Sequence, residues 1–438
     1  MVVGAVAQLA GAATTPQRAN LWVGPGAGSC TRAASPAPYR AAAACRDLNA
    51  AYGAARNGDL VLYRGGRYRD GEDPLVDHNP RIKAGGRPVV VRPQAGAKVI
   101  LDMQGRSADF KGVQSLTIDG GGRWTFYRGS PGVIPQNGSS CGVLSNRVTL
   151  ENLTINGALS TRNARNLVVR NVDIGNFSYP APGQDAWGDS SRVGDYDCGP
   201  ANIAAHVTFD HVHWHDIYRG KSPSHAECLF IESSNDVTVK NSRLDRCPII
   251  GLFLKNDSQN GARNYQRRVT IENDVITKPC PTGPRAGNDE CGTFGIQEAD
   301  CDNNSSNPAA APPMSWTIRF NTLTAGAQLW LCEPPQYWAS TSRLYGNLAE
   351  MLWTGVGATA RCSLGTKPPT LANWSVGFNV WTRREPSPAG QCAKTDVSSA
   401  DPKATRDLVP VSQGCPATDV DGRKRPTTGF CDAGATQH

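Results

Sequence analysis

The chain has 438 residues, with 46 glycines, 31 prolines and only 19% charged residues. That many turn formers excludes a helical bundle, a coiled coil or a long-helix enzyme, while 39% hydrophobic residues exclude a disordered chain. The net charge is +7, and its 34 arginines and 11 lysines are scattered with no run of five, so there is no nucleic-acid footprint.

From Met1 to Ala13 the chain is small, apolar and uncharged. It reads as the tail of a signal peptide, with residues 1–20 as a leader and 21–438 as one domain. No later stretch offers 18 uncharged apolar residues, so no membrane span is expected. The 14 cysteines form an even set without a repeated C-x-x-C spacing, which favours disulfides in an oxidising compartment over a zinc ribbon. Sequence neighbours are the expected pairs: Cys30 with Cys45, Cys228 with Cys247, Cys280 with Cys291, and Cys415 with Cys431.

An internal phrase organises the middle of the chain. It begins as QSLTIDGGG at 114–122 and continues as RVTLENLTI (147–155), NLVVRNVDI (166–174), HVTFDHVHW (206–214), DVTVKNSRL (236–244) and RVTIENDVI (268–276). Weaker copies are SWTIRFNTL (315–323) and NWSVGFNVW (373–381). Each copy alternates apolar and polar residues with β-branched enrichment, as a strand does. The closest copies are 19 residues apart and the others 30 to 47, one coil of a solenoid lengthened by loops of variable size. Asn152, Asn171, Asn241 and Asn273 share one place in their copies, with His211 replacing one. Amides stacked at a bend can bond to one another along the axis, a structural role.

A second strand recurs in each coil. Cys228–Glu232 aligns with Gly251–Lys255, with Thr293–Gln297 and with Gln328–Cys332. Leu229, Ile231, Leu252 and Leu254 then face in, and Phe230, Glu232, Phe253 and Lys255 face out. Long loops at about 175–202, 257–267, 278–292, 302–313 and 355–372 are expected to wall a groove on one side.

These repeats resemble the secreted right-handed parallel β-helix proteins of the pectin-lyase-like superfamily. The resemblance implies an all-β solenoid with an N-terminal capping helix. The segment LWVGPGAGSC followed by PYRAAAACRDLNAAYGAARNGDLVLYRGGRY resembles the family's opening strand, capping helix and first coil, within 21–70. The C-terminal DVDGRKRPTTGFCDAGATQH, within 400–438, resembles its closing segment, DxDGxxRP…DxGA. The resemblance runs from about Leu21 to the end. Its motifs specify the fold strongly and the reaction weakly.

Four places could carry chemistry. The first is the outward face of the second strand. In the repeat alignment Glu232, Lys255 and Gln297 share one column, Phe230, Phe253 and Trp330 the next, and Asp257 and Glu298 follow at strand ends. Aromatic faces beside an acid and a base suit a sugar, and Lys255 could abstract the proton α to a uronate carboxyl. The same pair reads equally as a solvated salt bridge. The second place is the turn with Lys221, His225 and Glu227, where His225 could shuttle protons or simply bond to backbone. The third is DHVHWHD, 210–216, with three alternate histidines as transition-metal ligands. The bend at His211 spoils their common face, and no second element supplies ligands. The fourth is the acidic loop with Asp185, Asp189, Asp195 and Asp197 beside Tyr179, Trp187 and Tyr196. Ca²⁺ is a candidate there, since the resemblance implies calcium in many lyases of this fold, and a solvated loop is the other reading.

The ordered set Asn-Thr-Asp, Asp-Asp, Gly-His-Gly and Arg-Ile-Lys of the superfamily's polygalacturonases does not occur. Nor do the Arg-x-Pro-x-x-Arg and Trp-Ile-Asp-His segments of its pectate lyases. The expectation is a secreted polysaccharide-binding protein, cleaving by β-elimination on a uronate-containing glycan. The alternatives are a non-catalytic surface or matrix scaffold, and a glycoside hydrolase or epimerase of the same fold.

Overall fold

The computed structural model describes residues 16–26, 28–69, 75–76, 83–105, 107–178, 190–194, 198, 203–218, 227–232, 234–255, 266–277, 292, 294–299, 313–355, 360–361, 367–382, 393–399 and 401–437. Among the described residues, strands from successive coils pair in parallel into a 20-stranded sheet and an 11-stranded sheet, the latter ended by one antiparallel pair, Leu352–Thr354 with Ala360–Arg361. This is the parallel β-helix that the repeats predict. Its inner surface is a ladder of like side chains: Ile118, Leu150, Val169, Phe209, Val239, Ile271, Ile318 and Leu344 follow one another rung by rung, each buried. The strands are buried on their inner face by one another, so branched apolar residues recur at that position in every copy.

The long strands turn at regular corners. Asn166, Asn171 and Asn176 are left-handed, and so are His206, His211 and Asp216, and then Asp236, Asn241 and Arg246, all with φ between 49° and 61°. Four extended residues separate each corner from the next, so each flat face presents two outward and two inward side chains. The recurring asparagines mark only the middle corner. Asn tolerates the left-handed region because its short side chain bonds locally. Here Asn171 donates to Asn152 Oδ1 (3.1 Å), Asn152 to Asp119 Oδ1 (2.9 Å), Asn241 to Asp210 Oδ1 (2.8 Å) and Asn273 to Asn241 Oδ1 (2.7 Å). His211 takes the corner but not the ladder, its Nδ1 lying 2.7 Å from Asp210 Oδ1.

Beyond Asn273 the device changes. The corner is held by Phe320, Gly346 and Phe378, and an inward ladder one residue later replaces the outward one. Asn347 Oδ1 accepts from Asn321, Asn379 Oδ1 accepts from Asn347, and Asp396 Oδ1 accepts from Asn379. All four are buried. The backbone at Gly346, with φ 62°, favours glycine, and a Cβ there would crowd Val409 and Phe320 at 3.1–3.3 Å.

The N-terminal end is covered as expected by a helix, Leu48–Ala54, started by Asp47, whose side chain accepts from Ala50 N. Leu48, Ala51 and Tyr52 face the core, and the Tyr52 hydroxyl donates to Gln114 O at 2.6 Å. The C-terminal segment closes differently from a cap, because it lies back along the middle corners. Buried Arg425 donates to Asn273 Oδ1, Asp432 O and Gly434 O, and burial lowers its pKa. Cys30–Cys45, Cys228–Cys247 and Cys415–Cys431 pair as expected. A further bridge, Cys141–Cys198, joins coils two apart and pairs cysteines that are not sequence neighbours. Cys280 and Cys291 lie outside the described residues, as does the leader from Met1 to Ala13.

Candidate functional site

The second sheet presents one outward column along the solenoid axis. Backbone register runs Ser160, Arg192, Phe230, Phe253, Gln297, Trp330 and Trp353. Phe230 and Phe253 stack at 5.0 Å, the Arg192 guanidinium lies 4.4 Å over Phe230, and Phe294 packs 5.3 Å from Trp330. The indole N–H of Trp330 donates to Gly355 O and that of Trp353 to Gln328 Oε1, so both rings are fixed in orientation.

One element departs from the repeat alignment. Gln297 stands opposite Phe253 and not opposite Lys255; Lys255 faces Ala299. Phe294–Ala299 thus sits two residues on from the repeat alignment against Leu252–Lys255, and its pairing with the following strand Gln328–Leu331 carries a one-residue bulge between Phe294 and Ile296. Gln297 therefore interrupts the aromatic column and does not extend the charged one. The outward side chains are also less exposed than expected: Phe230 is 5% and Glu232 6% exposed.

Lys255 and Glu232 do meet, Nζ to Oε1 at 3.8 Å, beside the stacked rings. Glu298 faces inward, fully buried, and its Oε2 accepts from the N–H groups of Cys332 and Glu333. Glu227 is buried at the start of the strand Glu227–Glu232. Lys221, His225 and Asp257 lie outside the described residues, and so do Tyr179, Asp185, Trp187, Asp189, Asp195, Tyr196 and Asp197, which leaves the calcium expectation without a described loop.

A second constellation occupies a flat face of the long sheet. Between the corners at Asn171 and Asn176 the outward positions are Asp173 and Gly175. One coil on they are His213 and His215, and the next coil has Arg243 and Asp245. The imidazoles stack at 4.4 Å with 24° between planes. Asp173 lies against both, 3.1 Å from His215 Nε2 and 3.6 Å from His213 Nδ1. The opposite nitrogens are held too: His213 Nε2 lies 2.8 Å from Asp245 and His215 Nδ1 2.8 Å from Asp216. Arg246 and the Tyr218 hydroxyl anchor Asp216 in turn. Partial burial opposes the charge of His213, but hydrogen bonds to Asp173 and Asp245 outweigh it and raise its pKa to about 9. The hydrogen bond to Asp173 raises His215 as well. Burial opposes ionisation of Asp173, yet the two imidazoles bring it far below the usual carboxylate range.

This corrects the sequence reading of 210–216. His211 leaves the set because it is the corner, as expected, but the missing second element exists: it is Asp173 on the preceding coil. The signal lay in the repeats themselves, since aligning NLVVRNVDI with HVTFDHVHW places Asp173 opposite His213.

No family model matches the chain, and no curated protein matches it. Among solved structures it is similar to pectate lyase Pel9A, at 14% identity over 95% of this chain and 96% of that chain, with a TM-score of 0.43. It is also similar to the A-module of the Azotobacter vinelandii mannuronan C-5 epimerase AlgE6, at 14% identity over 77% of this chain and 94% of that one, with a TM-score of 0.34. A PL6 family alginate lyase, AlyGC, matches at 13% identity over 81% of this chain and 53% of that one, with a TM-score of 0.33. None of the helices among the described residues is long and apolar enough to cross a membrane.

Proposed function

We propose that the chain is a secreted protein that binds a linear, carboxylate-bearing polysaccharide along the outward column of the second sheet. The observation that carries this reading is the column itself: Phe253, Gln297, Trp330 and Trp353 succeed one another at the inter-strand spacing of about 4.8 Å. Half-buried rings with satisfied N–H groups offer flat apolar faces to sugar C–H groups, and Gln297 offers an amide to hydroxyls. Arg192 and Lys255 beside the column supply the positive charge that a uronate requires. Disulfides among the described residues support an oxidising, extracellular setting.

In the catalytic form of this reading Lys255 takes the proton α to the uronate carboxylate. The C–O bond to the leaving sugar breaks as a C=C bond forms in conjugation with the carboxylate, and the leaving oxygen takes up a proton. A non-catalytic scaffold is the second reading, favoured by Glu232: an ammonium held beside a carboxylate binds an anion without accepting a proton. The test incubates the protein with a panel of uronate polysaccharides and reads near-ultraviolet absorbance of the unsaturated product. Absorbance lost in a folded Lys255→Ala variant supports elimination. Retained activity in that variant removes Lys255 from the chemistry, and new reducing ends without absorbance mean hydrolysis. Binding that survives Trp330→Ala combined with Trp353→Ala overturns the column as the binding surface.

A further inference from the structure

We propose that Asp173, His213 and His215 form a binding site for a divalent transition-metal ion of the zinc class, with Asp245 and Asp216 holding the two imidazoles in place. The site lies on the long sheet, away from the aromatic column, and the argument is independent of the glycan reading.

The donor atoms are placed as a small ion requires. Two donors on a tetrahedral ion with bonds of about 2.0–2.1 Å sit roughly 3.3 Å apart. The Asp173 carboxylate reaches both rings at about that separation, Oδ1 lying 3.1 Å from His215 Nε2 and Oδ2 3.6 Å from His213 Nδ1. All three donor atoms fall within 4.8 Å of one another. Two come from alternate positions of one strand and the third from its neighbour, so the rigid backbone ladder presets the set.

The outer contacts point the same way. A metal-bound histidine nearly always presents its other nitrogen to a carboxylate or carbonyl, which fixes the ring and its tautomer. Both imidazoles do so here: His213 Nε2 to Asp245 and His215 Nδ1 to Asp216, each at 2.8 Å. Asp216 is itself fixed by Arg246 and Tyr218. A simple surface ion pair needs one carboxylate per imidazole, whereas each ring here has one on both sides. Two nitrogen donors favour zinc, cobalt or nickel over calcium or magnesium, which prefer oxygen alone. Asp173 is 46% exposed, so the fourth position opens to solvent. Gly175 beside it presents no side chain, and none is possible there, because a Cβ would meet His215 O at 1.7 Å.

The test uses the whole chain in mildly alkaline buffer, where protons compete less for the imidazoles. Zn²⁺ uptake is measured by elemental analysis after gel filtration, and Co²⁺ is followed by its visible four-coordinate spectrum. The expected result is stoichiometric uptake by the wild type. Affinity should fall at least tenfold in His213→Ala, in His215→Ala and in the exposed-position variant Asp173→Ala. In Asp245→Asn it should fall about 10–100-fold, the usual effect of removing such a support. His211→Asn, which copies the neighbouring rungs Asn171 and Asn241, should bind as the wild type does. Absence of uptake by the wild type overturns the proposal. So does uptake unchanged in Asp173→Ala and in a His213→Ala, His215→Ala double variant, each verified as folded by circular dichroism. In either case the cluster is a network of paired imidazolium groups.

Discussion

The two halves of the long sheet solve one problem in two ways. Each coil must turn a corner, and the corner leaves backbone groups facing the core that need partners. Up to Asn273 a left-handed asparagine sits on the corner and bonds sideways to the rung before it, at least partly exposed at Asn152, Asn171 and Asn241 and buried only at Asn273. From Asn321 onward the corner residue is Phe or Gly, and the next residue turns its amide inward. There it serves both a backbone carbonyl and the neighbouring amide: Asn347 donates to Ile318 O and to Asn379 Oδ1. The first device relieves local strain, whereas the second also satisfies buried polar backbone. The same residue type therefore carries unequal weight in the two regions.

Substitutions can break or sharpen that contrast. The largest effect is expected for Asn347→Ala, which takes the side-chain donor from Ile318 O and breaks the amide ladder between Asn321 and Asn379 in a dry core; thermal or urea unfolding should show a loss of about 3 kcal/mol. Arg425→Met removes the guanidinium that ends the outward ladder at Asn273, and should cost about 2 kcal/mol on the same measurement.

Asp274 stands where one device gives way to the other, and its effect should depend on pH. Its carboxyl is fully buried, and desolvation, with Glu272 and Asp210 adding to it, raises its pKa well above the usual carboxylate range despite hydrogen bonds from the Ser242 and Glu272 N–H groups. Below the ordinary carboxylate value both folded and unfolded chains hold the proton and no penalty arises. The penalty grows as pH rises from that value toward the folded one. Asp274→Asn copies the following rung, where Asn321 donates to Ile271 O. It should raise Tm near neutral pH, corresponding to about 1 kcal/mol, and the gain should vanish in acid. An equal gain at all pH values would separate the effect from ionisation.

The smallest effect belongs to the exposed ladder. Asn171→Ala should cost about 1 kcal/mol, mostly left-handed strain, and Asn171→Gly less than about 0.5 kcal/mol. Glycine should not rescue position 347 in this way, because its amide does the work there.

These differences explain what was legible. The strands and the outward Asn ladder could be read directly because one residue type recurs in one place. The inward ladder was visible only as a shift by one, in the Phe-Asn of SWTIRFNTL and NWSVGFNVW. The outer corners carry His206, Asp236, Asp216 and Arg246, so side-chain identity hides their shared backbone state. The Lys255–Glu232 pair is legible because two coils align without a gap, whereas the place of Gln297 is not, because the loop of unequal length before Phe294–Ala299 sets its register and carries no repeat to align. The His213–His215 pair is visible along one strand, whereas its partner Asp173 lies on the preceding coil and emerges only when two copies are set side by side.

The C-terminal segment has a mechanical consequence. A solenoid normally unravels from its ends, each repeat bound only to its neighbours. Here Asp421 pairs with Arg243, Arg425 with Asn273, Gly414 O accepts from Arg319, Ala435 N donates to Thr322, and Gly434 N donates to Gly346 O. The tail thus acts as a splint laid across several coils. A pulling force or a protease acting at the last coils meets a clamped block rather than a fraying end.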